Sequence, residues 1–197
     1  MSSSVNVPSI YIIGPQSKGK TTLVNRLRSE FHNWFGNTST DKPRIISEVA
    51  RTVLVKHKFT AEDIKSSPKR CLTLQILILE AQAAAEREAL GYARKYVSHD
   101  TALEIQRHPS WTEVKTRMAD SLIIVCESGT SWLTDDGMRL MPDNKEAWMQ
   151  LFHDFCGQLD ELSLRYSVVP RIMVDLAERA EFVHAEWVKR YDSIKYK

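Results

Sequence analysis

The sequence predicts an α/β domain with a mainly parallel sheet, and three observations favour this fold class. Short, continuous apolar runs stand at residues 10–13 and within residues 121–127, the pattern of parallel strands buried on both faces. Longer segments with apolar residues every three or four positions lie between such runs and indicate amphipathic helices. A glycine-containing loop joins the first run to the first of these segments. Because strands and helices alternate, the helices should cover the sheet.

The first part of the chain contains two predicted strands and two predicted helices. After the strand at residues 10–13, a loop leads into a helix that extends to about Phe35. A polar turn cluster at residues 37–43 precedes "RIISE", which predicts a second strand ending at Glu48. A helix over residues 50–58 should follow. The apolar face of the first helix comprises Leu23, Val24, Leu27, Phe31, Trp34 and Phe35.

Helices dominate the middle of the chain. Ser66-Ser67-Pro68 is a capping signal with proline near the first helical position, and it predicts a long helix to about Leu90. Residues 92–107 are again helical in composition, and Pro109 starts a further helix that ends near Asp120. One face of the long helix should carry Leu72, Ile76, Leu79, Ala83 and Leu90.

Two more strands and two helices are predicted in the C-terminal part. "SLIIVCE" is the clearest strand after the first, and "YSVVP" is the last, ended by Pro170. The loop at residues 129–143 is rich in Thr, Asp and Gly, and its length indicates a functional role or mobility. Helical stripes cover residues 148–162 and 176–191. We expect a disordered lead-in at 1–9, a single domain at 10–192 and a C-terminal tail at 193–197.

Composition excludes several classes of protein. The net charge of +2 comes from well-mixed charges and gives no nucleic-acid-binding face. The longest apolar stretch, residues 74–79, is far shorter than the roughly 20 residues that a bilayer requires. The N-terminus lacks a signal peptide, so a cytoplasmic location is predicted. Cys71, Cys126 and Cys156 are too widely spaced for a disulfide framework or a zinc site, and Cys126 is most simply a small buried hydrophobe.

The loop after the first strand carries the strongest chemical signal. Residues 14–21 fit the pattern G-x-x-x-x-G-K-[ST] at every fixed position. Its glycines allow a tight turn whose N–H groups surround phosphates, Lys20 reaches the β- and γ-oxygens, and Thr21 binds Mg²⁺. ATP or GTP with Mg²⁺ is the predicted cofactor, and the alternative is a surface turn rich in Gly and Lys. The predicted binding residues are Gly14, Pro15, Gln16, Ser17, Lys18, Gly19, Lys20, Thr21 and Thr22; Lys18 is equally well explained as a solvated lysine.

Several further segments, together with this loop, resemble a known family. They are "IISEVARTVL", "FTAEDI", "LILEAQAAAE", "CESGTSWLTDDGMRLMP" and "DLAERAEFV". The chain resembles AAA-type P-loop NTPases related to the nicotinamide-riboside-kinase domain, especially their fungal-type members, from about Ile10 to Trp187. The resemblance implies a kinase-like, three-layer P-loop NTPase fold with the phosphate loop after its first strand.

The resemblance also implies residues on the acceptor side of the cleft. Glu48 and Arg51 match a Glu-x-x-Arg that follows the second strand, and ligands of open α/β sheets lie at the carboxyl ends of strands. A structural alternative is a carboxylate at a helix start that pairs with the arginine three residues later.

The loop at residues 129–143 matches a lid-like loop of the family through Trp132, Asp136, Gly137 and Arg139. An arginine on such a loop can neutralise charge on the transferred phosphoryl group, so Arg139 joins Lys20 as a predicted catalytic residue. Trp132 and Asp136 are candidate substrate residues, although Trp132 also fits a packed loop anchor. Adjacent carboxylates in a glycine-containing turn can touch Mg²⁺, but more often they only form the turn.

One expected segment of the family is absent from the sequence. After the long helix, the family has a strand that ends in Asp-Arg-Ser, which supplies the Walker B aspartate for Mg²⁺ or base chemistry, whereas here Gly91 is followed directly by Tyr92-Ala93-Arg94. Without this segment the sheet would miss one central strand. A rival alignment takes "KYVSHD" as a short strand that ends in Asp100 as a replacement. If the chain turns over a nucleotide rapidly, Asp100 is the first candidate for the missing carboxylate and Asp120 is the second. A shortened gene model, a splice form and a descendant without catalysis all remain open.

The predicted function is therefore a small-molecule, nucleoside-like kinase or an NTPase of reduced activity. Its partners would be a nucleotide and an unknown small-molecule acceptor, with no nucleic acid and no membrane. The alternative is a catalytically inactive nucleotide-binding module that acts as an accessory or regulator through a protein partner. A regulatory GTPase is disfavoured because the chain has no Asn-Lys-x-Asp guanine motif; residues 144–147 lack the aspartate.

Overall fold

The computed structural model describes residues 8–14, 19–35, 44–46, 49–90, 108–128 and 144–195. The chain divides into two compact units. We call Met1–Lys42 together with Met118–Lys197 the sheet unit, and Pro43–Arg117 the helical unit. The described strands are β1 (Ile10–Ile13), β2 (Leu122–Cys126) and β3 (Tyr166–Val169); the described helices are α1 (Lys20–Phe35), α2 (Val49–Lys56), α3 (Ala61–Ser66), α4 (Pro68–Leu90), α5 (Pro109–Asp120), α6 (Lys145–Glu161) and α7 (Leu176–Lys195).

The sheet of the sheet unit is parallel, with the strand order β1-β2-β3. Ile10 pairs with Leu122 at one end of the β1–β2 ladder, and Cys126 pairs with Val169 at the end of the β2–β3 ladder. All five residues of β2 are buried, as its uninterrupted apolar sequence predicts for a central strand. Within the described part of the chain β1 pairs only with β2, and Ile10 is 36% exposed. The predicted α/β class with a parallel sheet is confirmed.

Helices α1 and α7 supply the core that covers this sheet. Leu23 of α1 is fully buried, and it packs in one cluster with Ala180 and Val183 of α7. The indole N–H of Trp187 donates to the carbonyl of Pro8 at 3.1 Å, which fastens α7 to the residue pair before β1. This packing fixes the amino ends of α1 and α7, and it therefore positions the residues that follow β1 and β3. The remaining members of the cluster are Leu122, Ile124, Cys126, Val169 and Trp187.

The helical unit contains α2, α3, α4 and most of α5. Arg44 donates to the carbonyls of Glu88 and Ala89 at 2.9 and 2.7 Å, so its guanidinium caps the carboxyl end of α4. Thr60 and Asp63 form a reciprocal capping box at the start of α3. None of the helices in the described ranges is long and apolar enough to cross a membrane.

Three differences from the predicted elements have identifiable causes. Residues 44–46 form no strand, so the second strand is wrong over that range, where Arg44 instead serves α4; Ser47 and Glu48 lie outside the described residues. Helix α2 ends at Lys56, because Lys58 adopts a φ of 55° that a helix does not accommodate. Helix α3 was not predicted, although its capping box is visible in the sequence.

Most of the other predicted elements are confirmed, the strands within one residue and the helices within four residues at either end. They include β1, β2, β3 and the helices α1, α4, α5, α6 and α7. The predicted helix at 92–107 and the loop at 129–143 lie outside the described residues.

Candidate functional site

Gly14 begins the phosphate-binding loop at the carboxyl end of β1. Its φ is 135°, and a Cβ atom on it would lie 2.8 Å from the carbonyl oxygen of Cys126. A non-glycine residue would therefore be strained by its backbone angle and would collide with the backbone of β2. Gly14 lets the chain turn at the point where β1 and β2 end side by side.

Gly19 ends the loop and leads into α1. Its φ is 122°, and its carbonyl accepts the N–H of Leu23 at 2.8 Å, the first hydrogen bond of the helix. Lys20, Thr21 and Thr22 form the first helical turn, which contains no acidic residue. The amino end of a helix carries a partial positive charge and N–H groups without helical acceptors. A first turn without carboxylates leaves that end suited to an anion such as phosphate.

A buried arginine of α7, which the sequence analysis does not identify, lies against this loop. Asp175 caps α7 by accepting the N–H groups of Ala177 and Glu178 at 2.8 and 3.0 Å, so Arg179 lies in the first turn. Its Nη1 atom lies 3.1 Å from the position that a Cβ atom on Gly19 would take. Arg179 is only 7% exposed, and its Nε atom has no hydrogen-bond partner among the described residues.

Cys126 lies between the glycine loop and this arginine. The Nη2 atom of Arg179 donates to its Sγ atom at 3.6 Å. Burial raises the pKa of the Cys126 thiol, while the positive charges of Arg179 and Lys20 act in the opposite direction. The thiol is therefore neutral at neutral pH, in keeping with the predicted role of a small buried hydrophobe. Because both cations influence this thiol, both lie near the carboxyl end of β2.

Glu127 is the first carboxylate after β2 at the same edge of the sheet. Its N–H donates to the carbonyl of Val169 at 3.1 Å, and its Oε2 atom accepts the backbone N–H of Arg171 at 2.8 Å. The Nε atom of Arg171 lies 3.7 Å from Oε1. Glu127 thus joins the ends of β2 and β3. The next residue, Ser128, is fully buried, and its hydroxyl has no partner among the described residues.

Asp120 lies at the wrong end of the sheet to replace a missing catalytic aspartate, although the sequence makes it a candidate after Asp100. It precedes β2, and β2 runs parallel to β1 with Leu122 opposite Ile10. The phosphate loop follows the other end of β1. A strand rises about 3.3 Å per residue, so the full length of β2 separates Asp120 from the loop.

The structure brings five of the predicted binding residues together at one place. Gly14, Gly19, Lys20, Thr21 and Thr22 all lie at the junction of β1 and α1. Arg51 is described on α2, where it is exposed, and α2 belongs to the helical unit. Within the described ranges no cluster of three His, Cys, Asp or Glu residues could hold a metal ion. Outside the described residues are Pro15, Gln16, Ser17, Lys18, Glu48, Asp100, Trp132, Asp136 and Arg139.

The described part of this junction fits the phosphate end of a nucleotide. Gly14 and Gly19 have positive φ values, and without side chains they allow the backbone to approach a ligand closely. The first turn of α1 contains no acidic residue. Two cations, Lys20 and Arg179, lie near it. The positive charge, the helix amino end and the glycine loop together form a site that suits an anion.

Comparison with known proteins identifies the family. Residues 9–179 match the family model described as an AAA domain. Neither the curated proteins nor the solved structures gave a significant match. The family match spans most of the chain and includes the phosphate loop, β1, β2, β3 and the start of α7. The chain therefore belongs to the AAA domain family of P-loop nucleotide-binding proteins.

Proposed function

We propose that the protein binds ATP or GTP with Mg²⁺ through residues 14–22 and transfers the γ-phosphoryl group, at a reduced rate, to a nucleoside-like small molecule or to water. The observation that carries the proposal is the junction of β1 and α1, where Gly14 and Gly19 take positive φ values on either side of the loop. That geometry and the following Lys20-Thr21 pair are what a phosphate chain with a bound metal requires.

Each residue of the loop has a separate task in this proposal. The N–H groups at the start of α1 orient the phosphate chain, and the Lys20 ammonium binds β- and γ-oxygens as a point charge. Thr21 offers its hydroxyl to Mg²⁺, which would neutralise phosphate charge when bound. In transfer, the bond between the γ-phosphorus and the bridging oxygen breaks, a bond to the acceptor oxygen forms, and the acceptor proton leaves to a base.

The acceptor side of the proposed site rests on residues implied by the family resemblance. Glu48, Arg51, Trp132 and Asp136 would contact the acceptor, and Arg139 would neutralise charge that develops on the transferred group. If so, Arg139→Ala should lower the maximal rate far more than it lowers nucleotide affinity, because the charge that it stabilises appears mainly in the transition state. A lower affinity with an unchanged maximal rate would contradict that role.

Two observations support reduced activity. The Asp-Arg-Ser segment that the family resemblance implies has no counterpart between Gly91 and Tyr92. The described carboxylate nearest in sequence to the end of β2, Glu127, is already held by the backbone and side chain of Arg171. A site with the lysine and threonine but no available aspartate can bind a nucleotide more readily than it can turn it over. The same shortage favours the second candidate, a nucleotide-binding module without turnover.

Paired measurements of affinity and turnover separate the two candidates. Calorimetry with ATP and GTP in the presence of Mg²⁺ gives affinity, and the mass gain of one phosphate across a nucleoside panel gives transfer. Binding with product above background supports the enzyme, and binding without product supports the module. If turnover is rapid, Asp100→Asn should abolish it without unfolding the protein. If turnover is slow, insertion of a family-like strand ending in Asp-Arg-Ser after Gly91 should raise both turnover and thermal stability.

A further inference from the structure

Arg179 is a buried cation without a counter-charge in the described part of the chain. Its guanidinium carries five N–H donors, and the side-chain acceptor that the structure gives it is the Cys126 sulfur, at 3.6 Å. A thiol sulfur is a weak, neutral acceptor. No carboxylate among the described residues forms an ion pair with Arg179, although it is only 7% exposed.

The surroundings of Arg179 raise the energy of this charge further. A buried ion without a partner costs several kcal/mol relative to the same ion in water. The second charge that acts on Cys126 is Lys20, which is also positive. Two like charges near one buried group repel each other, so Arg179 would gain from an anion placed beside it.

The position of the guanidinium indicates which anion this is. Nη1 lies 3.1 Å from the Cβ position of Gly19, and Gly19 immediately precedes the lysine of the phosphate loop. The Arg179 side chain therefore reaches from the first turn of α7 to the start of α1, next to the carboxyl ends of β1 and β2. Both helices direct the positive ends of their dipoles to this edge.

We propose that Arg179 is a second phosphate-binding cation of the site, which acts together with Lys20 on the phosphate chain of the nucleotide. The proposal rests on nucleotide binding at the phosphate loop and adds a residue from the opposite end of the chain. The nucleotide then supplies the negative charge that no described carboxylate provides. The Arg179 guanidinium is therefore without an ion-pair partner in the described part of the free protein and gains one in the complex. A guanidinium suits this task because its planar fork can bind two phosphate oxygens at once.

This assignment predicts opposite effects on stability and on binding. Replacing Arg179 with methionine removes an unpaired buried charge and retains apolar volume, so the nucleotide-free protein should keep or raise its melting temperature. The same change should weaken phosphate binding by about 10- to 100-fold, the range for loss of hydrogen bonds to a charged group. A residue that only braces the loop would behave differently, because its loss would lower the melting temperature of the free protein.

The test uses the full chain and two probes, ATP with Mg²⁺ and inorganic tripolyphosphate. Calorimetry gives both affinities for the parent, Arg179→Met, Arg179→Lys and Lys20→Ala, and a melting curve without ligand is recorded for each. Arg190→Gln on the same helix is the control, since Arg190 donates to the carbonyl of Ala119 away from the loop. We expect Arg179→Met to lose affinity for both probes by a similar factor, Arg179→Lys to recover part of it, and Arg190→Gln to bind both normally.

Two results would overturn the inference and leave the proposed function standing, and a third would overturn both. Unchanged affinity of Arg179→Met for tripolyphosphate would remove the phosphate contact. A fall of more than about 4 °C in the melting temperature of the free variant would indicate a bracing role. A parent chain that binds neither probe would overturn the proposed function as well. A parent that binds ATP and loses it in Lys20→Ala, while Arg179→Met binds normally, would leave the function standing and contradict only the role of Arg179.

Discussion

Two arginines, one in each unit, have opposite surroundings. In the helical unit Arg117 lies 2.7 Å from both Glu86 and Glu113, and Glu113 also pairs with Arg87 at 2.7 Å. We call these four residues the charge network. In the sheet unit Arg179 is buried more deeply, with 7% of its surface exposed against 19% for the Arg117 side chain, yet no described carboxylate pairs with it. The charges of the network, which stabilise the fold, are paired with one another. The charge of Arg179, which we propose binds a ligand, has no carboxylate partner among the described residues.

The pKa of Glu113 and the hydrogen bonds of Glu86 show how the carboxylates of the network are stabilised. Burial works to raise the pKa of the Glu113 carboxyl, but hydrogen bonds from Arg117 and Arg87 hold that pKa below its ordinary value. Glu86, which is 4% exposed, accepts from Arg117 and from the amide of Gln82 at 2.7 Å. Removal of one partner would leave a buried carboxylate with less compensation, which costs more than the pair itself gains.

The largest expected effect comes from breaking the network. Arg117→Met should lower the free energy of unfolding by about 3 kcal/mol, because it strands the buried Glu86 carboxylate. Urea unfolding at neutral pH measures this difference. Lys189→Met is the control, since the Lys189–Glu186 pair is exposed and should change stability by less than about 1 kcal/mol. Equal effects of the two substitutions would show that the network contributes no more than a surface pair.

The next effect concerns the cation of the phosphate loop. Lys20→Ala should weaken ATP binding by on the order of 100-fold, because it removes charge-assisted contacts to the β- and γ-phosphates. It should leave the melting temperature nearly unchanged. Calorimetry compares it with Lys189→Ala, which changes a lysine of α7 that is 73% exposed. The assignment of the loop is wrong if the two variants bind ATP equally well.

A smaller effect is expected where the loop backbone touches β2. Gly14→Ala should destabilise the protein by about 1–3 kcal/mol, because alanine must hold a φ of 135° and place its Cβ 2.8 Å from a backbone oxygen. Gly157→Ala is the matched control. It lies inside α6 with open space around its Cβ position, so it should stabilise by up to about 1 kcal/mol. Thermal unfolding should show a lower melting temperature for Gly14→Ala and an equal or higher one for Gly157→Ala. A shift of the same sign in both variants would contradict the loop geometry.

The smallest effect is a pH dependence of the network. The folded pKa of Glu113 lies below its ordinary value of 4.5, so its stabilising contribution is complete above that value and is lost as the pH falls through the folded pKa. The difference in unfolding free energy between the parent and Glu113→Gln should therefore narrow below pH 4.5. Urea unfolding of both proteins across this range measures it. A difference that stays constant with pH would mean that Glu113 is not held by its arginines.

The sequence predicts most of this architecture where the determining contacts are local. The continuous apolar run of β2 and the regular stripes of α6 and α7 follow directly from period and propensity. The phosphate loop is predictable because its glycines, lysine and threonine occupy fixed positions in one short segment. The strand at residues 44–46 was wrong because two apolar residues are too weak a signal, and its arginine is used to cap a helix.

The arginine of the site could not be found in the same way. Arg179 is separated from Gly19 by most of the chain, and within α7 its position alone does not distinguish a buried cation from a solvated one. The feature of the sequence that comes nearest to predicting its position is Asp175, which caps α7 and so defines where that helix begins. The direction of β2 likewise decides that Asp120 lies far from the loop, and strand direction is a property of the sheet rather than of any local segment.

The most direct test of the account is the melting temperature of the full chain with increasing ATP and Mg²⁺. A ligand that binds only the folded protein raises stability by RT ln(1 + [L]/Kd), about 2.7 kcal/mol when its concentration is 100 times Kd. We predict a melting temperature that climbs steadily with nucleotide concentration in the parent, and that in Lys20→Ala begins to climb only at about 100-fold higher nucleotide concentration. A parent melting temperature that does not move up to millimolar nucleotide would contradict the assignment of this junction as a nucleotide site.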